Sequence, residues 1–259
     1  MGKKHTKAEL VDLLTIDGFP RSASYDPQWM LENAMGPNPV WLAESLSQVI
    51  DLQPGMRVLD LGCGRAISSI FLAQEFNLQV WATDLWISAS DNWQRIRAAG
   101  LQDRVFPIHA EAHTLPFAND FFDALVSLDA YHYFGTDDLY LGYSSQFVRP
   151  GGEIAIVVPG LQREFTSGLP SHLASKWSWD WWSFHSPSWW RNHWEKTGKV
   201  AVEVSDTIPN AWKHWLKWLE VSLAQELPSD EVEIDLLRRD AGRNLGFTRV
   251  VARKKGSSL

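Results

Sequence analysis

Residues 56–61, "MRVLDL", are almost continuously apolar between the turn formers "QPG" and "GCG", and the next stretch, "AISSIFLAQEF", switches to helical spacing with Ile67, Ile70 and Phe71 on one face. That is a strand, a tight turn and a helix. The alternation recurs in "QVWATD" then "SASDNWQRIRAAG", in "RVFPIHA", in "FDALVSLD" then "DDLYLGYSSQFV", and in "GEIAIVVP" after the turn "RPGG". Strands alternating with helices imply right-handed crossovers and a mostly parallel sheet covered on both faces. Upstream, Asn38 and Pro39 suit the cap and first turn of a helix carrying Leu42, Leu46, Val49 and Ile50. The first two dozen residues are polar and mixed and read as a loosely held arm.

After Pro159 the pattern changes. Residues 160–188 have no clean period and carry "KWSWDWWSFHSPSWW", which reads as an insertion over the sheet edge. "SPSWWRNHWEKTG" then reads as a helix capped by Ser186, with Pro187 in its first turn and Gly198 as its stop. "KVAVEVSDT" follows as a strand, "NAWKHWLKWLEVSLAQEL" as a helix, and "FTRVVARK" as a last strand before the frayed tail "KKGSSL". The reading divides the chain into an arm and cofactor cover, 1–37, and one domain, 38–259, with 160–188 as a lid-like insertion.

Composition narrows the function classes. The 259 residues hold 24 basic and 31 acidic side chains, a net charge of -7, which argues against a nucleic acid backbone as the main partner. The single cysteine, Cys63, excludes an internal disulfide and any multi-cysteine metal site, and suits a cytoplasmic location. Neither an apolar leader nor a run of about 18 apolar residues is present, so membrane spanning is not expected. The departure from ordinary composition is 15 tryptophans.

Ligands of such sheets bind outside the carboxyl ends of the strands, where strand order reverses. The first strand-to-helix turn lies there. Gly62 and Gly64 permit positive φ and let a ligand pack on bare backbone, and the N–H groups opening the next helix are donors for an anionic group. Asp84 ends the second strand, where a carboxylate accepts from both hydroxyls of a ribose. A dinucleotide fingerprint calls for a third Gly or Ala, and position 67 is Ile. Asp60 would repel a diphosphate and welcome an ammonium group.

These segments together resemble the class I S-adenosylmethionine-dependent methyltransferases, in the ubiquinone-biosynthesis-like branch that acts on small molecules. "VLDLGCG" is similar to the family's first motif, with Asp60, Gly62 and Gly64 at its acid and glycine positions and Cys63 between them. The resemblance implies a Rossmann-like, seven-stranded mixed sheet and S-adenosyl-L-methionine as cofactor. It assigns Asp84 and the adjoining Leu85 to the ribose, and Glu111 and Ala112, in "HAEAHTLPFANDFFD", to the adenine, with Glu where the pattern has Asp. "VSLDAYHYF" matches the fourth-strand end that runs under the cofactor, including Ser127 and Leu128. The likeness covers roughly residues 38 to 160.

His132, just after that strand, is the candidate base or substrate anchor, with Asp129 and Tyr131 as orienting groups. The ordinary alternative is a histidine packed in an aromatic wall. Of the tryptophans between 177 and 194, Trp189, Trp190 and Trp194 read as packing of a helix onto the sheet. Trp177, Trp179, Trp181 and Trp182 read as a lid pocket for a flat or cationic acceptor, with His185 beside them. Tyr25 and Gly36 are candidate contacts from the cover. The expected function is methyl transfer to a small-molecule acceptor, with no nucleic acid, membrane or metal. The rivals are aminopropyl transfer or nicotinamide chemistry on the same fold, and a cofactor-binding module without turnover.

Overall fold

The computed structural model describes residues 4–256. Its helices and strands run α1 (Lys7–Leu14), α2 (Pro27–Asn33), α3 (Pro39–Ser47), β1 (Arg57–Leu61), α4 (Ile67–Phe76), β2 (Gln79–Asp84), α5 (Ala89–Ala98) and β3 (Val105–His109). They continue through β4 (Phe122–Leu128), α6 (Tyr140–Ser144), β5 (Val148–Leu161), α7 (Ser171–Ala174), α8 (Pro187–Glu195), β6 (Val200–Thr207), α9 (Ala211–Ala224), α10 (Glu231–Asp240) and β7 (Leu245–Lys254). The strands form one seven-stranded sheet in the order β3-β2-β1-β4-β5-β7-β6. β1 to β5 pair in parallel, and β7 runs antiparallel between β5 and β6. The parallel part is what the alternation of strand and helix patterns predicts, and the whole is the Rossmann-like, seven-stranded mixed sheet that the resemblance implies.

Two cores cover the sheet, because successive strand residues point to opposite faces. Val58, Val80, Val126 and Val157 belong to the core beneath α3, α4, α9 and α10. Their neighbours Leu59, Leu125 and Ile156 belong to the core beneath α6 and α8, where Trp190 and Trp194 are fully buried. A strand buried on both faces carries no polar alternation, hence the continuous apolar run of β1.

Asn38 caps α3 as expected, its Oδ1 accepting from Val40 N at 2.9 Å and Trp41 N at 3.3 Å, with Pro39 in the first turn. Ser186 caps α8 by accepting from Trp189 N at 3.3 Å.

The arm differs from its loose reading. Thr6 and Glu9 form a capping box on α1, and Leu10, Leu14 and Phe19 are buried. Glu44 anchors the stretch that follows, accepting Arg21 N at 2.9 Å and Ser22 N at 2.7 Å. The expected helix over 137–148 shortens to α6 and one 3-10 turn, because Val148 already pairs with Phe122 in the sheet. Residues 257–259 of the expected frayed tail lie outside the described residues. Among the described residues, no helix is long and apolar enough to cross a membrane, and no group of His, Cys, Asp or Glu is arranged to hold a metal ion.

Candidate functional site

The reversal of strand order falls between β1 and β4, and the chain leaves β1 there through Gly62 at φ 76° and Gly64 at φ 52°. A Cβ on Gly62 would collide with that of Ala130, just beyond the end of β4, so only glycine lets the two strand ends approach. The neighbouring strand end fixes the corner. Gly62 N and Cys63 N donate to Thr83 O at 2.8 and 3.1 Å, and Gly64 N donates to Asp84 Oδ2 at 2.8 Å. The other Asp84 oxygen accepts Trp86 N at 2.8 Å and Ile87 N at 3.0 Å. The N–H groups of residues 62–64 are therefore spent inside the protein, which leaves the donor role expected at this corner to the N–H groups that open α4.

Above the corner lies a cavity of about 330 Å³, within the usual size of small-molecule sites. Gly62, Cys63, Gly64, Asp84, Leu85, Glu111, Ala112 and Leu128, all singled out in the sequence, line it together with Asp129. Asp60 and Ser127 do not reach its wall. The Ser127 hydroxyl donates to Leu61 O at 2.7 Å, tying β4 to β1. Asp60 is fully buried and accepts the hydroxyls of Ser68 and Ser69, each at 2.6 Å, while its Oδ1 has no partner. Burial pushes its carboxyl up to about 6 despite those bonds. Glu111 turns both oxygens onto His113, accepting its backbone N–H at 2.8 Å and meeting ring Nδ1 at 2.7 Å.

Met35, Gly36 and Pro37 from the N-terminal segment close one side of the cavity. Trp218 of α9 holds this cover, its Nε1 donating to Gly36 O at 2.9 Å. A Cβ on Gly36 would strike the Asp129 carboxylate. Trp86 and Tyr133, exposed by 70% and 56%, pair at 6.1 Å between ring centroids as a rim that the sequence reading did not identify.

The candidate catalytic and acceptor residues separate. Asp129 stands on the cavity wall at φ 55°, a left-handed conformation costly for a residue with a side chain. Burial, and then the charge of Glu233, hold its carboxyl well above the usual range. Tyr131 points into the opposite core, within 6 Å of Tyr140, Trp190 and Trp194 between centroids. His132 is 2% exposed, packs at a tilt against Tyr133 with 4.0 Å between ring centroids, and is pushed down to about 3 by burial, so its imidazole is neutral.

Tyr25 lies away from the cavity, donating to Glu75 Oε1 at 3.0 Å and packing on Phe71. His185 stacks on Trp189 at 3.6 Å and meets Glu164 Oε2 at 3.2 Å. Trp177 and Trp181 meet edge to face at 5.4 Å within the insertion, whereas Trp179 and Trp182 are 86% and 60% exposed. Two acids that sequence reading passed over, Asp180 and Glu233, come to this side of the molecule. Both act electrostatically on Tyr133 together with Asp129.

Residues 58–152 match the sequence family described as "Methyltransferase domain". The chain is 30% identical over 116 residues to methyltransferase GfsG of Streptomyces halstedii, an alignment covering 44% of this chain and 42% of that protein. The chain spans about half the length of the curated relatives it matches. Among solved structures, geranyl diphosphate methyltransferase in complex with SAM superposes with a TM-score of 0.66 at 18% identity, covering 98% of this chain and 97% of that one. The [4+2]-cyclase SpnF superposes with a TM-score of 0.68 at 13% identity and the same coverage.

Proposed function

From the match of residues 58–152 to a methyltransferase family, we propose that the chain is a class I methyltransferase that binds S-adenosyl-L-methionine between the ends of β1 and β4 and transfers its methyl group to a small-molecule acceptor. The observation that carries this reading is the Asp84 carboxylate held at the cavity wall against the Gly64 corner. The donor set fits a sulfonium nucleoside better than a dinucleotide. A dinucleotide fingerprint needs a third Gly or Ala where this chain has Ile67, and the N–H groups of residues 62–64 are already engaged. A ribose needs a carboxylate acceptor, for which Asp84 keeps lone-pair capacity beyond its three backbone partners. Leu85 and Ala112 supply apolar contact for an adenine ring, and Gly62 and Gly64 leave bare backbone for the amino-acid tail.

S-adenosylmethionine supplies an electrophilic methyl group, whose C–S bond breaks with its electron pair left on sulfur as the acceptor's bond to carbon forms. The protein's part is to align the two reactants and exclude water. In this reading residues 1–37 serve as the cofactor cover and 160–188 as the lid of the acceptor side, on a domain spanning 38–259. His132, buried and neutral, acts by positioning Tyr133 rather than as the base, and Asp129, on the wall with its carboxyl raised, is the group we assign to hold a proton. A cytoplasmic location belongs to the same reading, supported by the lone Cys63.

Calorimetry with S-adenosylmethionine, S-adenosylhomocysteine and NAD tests the binding, with the first two expected to bind and NAD not. Incubation with methyl-labelled cofactor and a metabolite extract tests the transfer. A second reading is a module that holds the cofactor and never consumes it, since the fold by itself does not dictate turnover. Tight binding with all label retained on the cofactor would select it.

A further inference from the structure

Asp129 follows β4, Asp180 opens a 3-10 turn of the insertion, and Glu233 lies in the first turn of α10. These separate segments converge on one place. The Tyr133 hydroxyl is pushed up to about 12, by burial first and then by the charges of Asp129, Asp180 and Glu233 in that order. Asp129 also feels Glu233, and Glu233, raised to about 7 mainly by burial, feels Asp180. Among the described residues, none of the three carboxylates has a Lys, Arg or His partner in an ion pair, although eighteen such pairs occur elsewhere. Negative charge gathered without a counter-ion is costly to hold.

A second, independent observation points the same way. His132 Nδ1 and Asp180 Oδ1 are buried with no hydrogen-bond partner, and each can accept from an ammonium, the neutral imidazole doing so with its proton on Nε2. His132 and Trp215 are each 2% exposed. His132 lies within the field of Asp180, and the Trp215 ring stands at Glu233. Leaving such an atom unpaired is costly, a cost that a ligand donating to it removes. The rings around them enclose the place: Trp177 meets Trp181 at 5.4 Å, Trp181 stacks on Phe184 at 5.4 Å, His132 meets Phe184 at 5.7 Å, and Phe184 meets Trp215 at 6.4 Å. Unpaired acids walled by indole and phenyl rings have the chemistry of an ammonium site.

Resting on the methyltransferase reading above, we propose that Asp129, Asp180 and Glu233, with the rings of Trp177, Trp181 and Trp215, form the acceptor subsite and that the acceptor is a small aliphatic amine, docked as its ammonium ion. Asp129 alone of the three stands on the cavity wall, so the docked nitrogen faces the cofactor cavity from its side. A primary or secondary ammonium passes one proton to the Asp129 carboxylate, which frees the nitrogen lone pair for the new bond to carbon. Acceptors whose reactive end is a carboxylate or phosphate are repelled.

The test compares choline, a quaternary ammonium that cannot be methylated, with its neutral carbon isostere 3,3-dimethylbutan-1-ol. Each is titrated at pH 7 into the full chain, with and without bound S-adenosylhomocysteine, by calorimetry in two buffers of different ionisation enthalpy. Choline is expected to bind at least about tenfold more tightly than the isostere, equivalent to ~1.4 kcal/mol. It is also expected to release protons, which choline itself does not carry, from the protein. Asp180→Asn and Glu233→Gln are each expected to weaken choline by about tenfold and to leave S-adenosylhomocysteine affinity within about twofold. Equal binding of choline and isostere, or no binding of either to protein that binds S-adenosylhomocysteine, overturns the subsite alone. Discrimination by protein that ignores S-adenosylhomocysteine supports the subsite and removes the methyltransferase reading. Failure of both titrations overturns both.

Discussion

The Asp84 carboxylate accepts the backbone N–H of Gly64 at 2.8 Å, so the acid that ends β2 also holds the corner that follows β1. One side chain thus shapes the cavity and faces into it. Asp84→Ala would strip the partners from Gly64, Trp86 and Ile87 N–H together. Hydrogen bonds to a charged group contribute about 1.5–3 kcal/mol each. The expected outcome is a loss of S-adenosylhomocysteine affinity of at least about a hundredfold and a clear drop in Tm, read by calorimetry and thermal unfolding.

Gly62→Ala tests the close approach of β1 to β4. The added Cβ would meet that of Ala130 at a φ of 76°, so strain and collision act together. A destabilisation of about 2–4 kcal/mol is expected in urea unfolding. Ala130→Gly in the same chain would remove the collision but not the strain, and is expected to restore about half of it.

Asp60 gives a pH signature. Its carboxyl stands near 6 in the folded chain against 3.8 ordinarily, so the folded state binds the extra proton between these values. Stability from this group is therefore fully present below about pH 4, falls as pH rises to about 6, and stays low above it. Each pKa unit corresponds to ~1.4 kcal/mol. Asp60→Asn is expected to gain about 2–3 kcal/mol on wild type between pH 4 and pH 7.5, whatever constant offset the amide introduces. A difference between the two proteins that does not vary with pH would refute the raised carboxyl.

Trp218→Phe keeps most of a buried ring and removes the N–H that holds Gly36 O. The expected loss of stability is about 1 kcal/mol. Cofactor release should quicken several-fold, because residues 35–37 close the cavity. Stopped-flow dissociation of S-adenosylhomocysteine measures it.

Much of this was legible in the sequence where local chemistry decides. The turn "GCG", the caps at Asn38 and Ser186, and the strand runs each carry their own cause, and all appear in the fold. The N-terminal helix was not, since Leu10, Leu14 and Phe19 are too sparse to look like a core stripe until they meet a surface that receives them. Residues 228–244 gave no element, yet α10 forms there with Asp230 as its cap, acids in its first turn and Arg238 and Arg239 in its last. Only Ile234, Leu236 and Leu237 give it an apolar side.

The candidate site divides on the same principle. Gly62, Gly64, Asp84, Leu85 and Leu128, at the ends of the parallel strands, line the cavity because strand order dictates where they lie, whereas Ser127 turns inward onto Leu61 O. Asp60 and Glu111 are assigned by their positions in motifs, and a motif position does not say that Ser68, Ser69 and His113 bind their oxygens. Asp180 and Glu233 escaped notice because nothing local marks an acid whose neighbours arrive from distant segments.

Gly36 touches both halves of the site at once, its carbonyl fastened to Trp218 and its bare Cα pressed against the Asp129 carboxylate. Efforts to redirect the protein toward bulkier acceptors by widening the aromatic side would therefore be felt at the nucleoside side too. Residue 36 is the place where an engineer would have to adjust both together, and the chain leaves no spare volume there in which to do so.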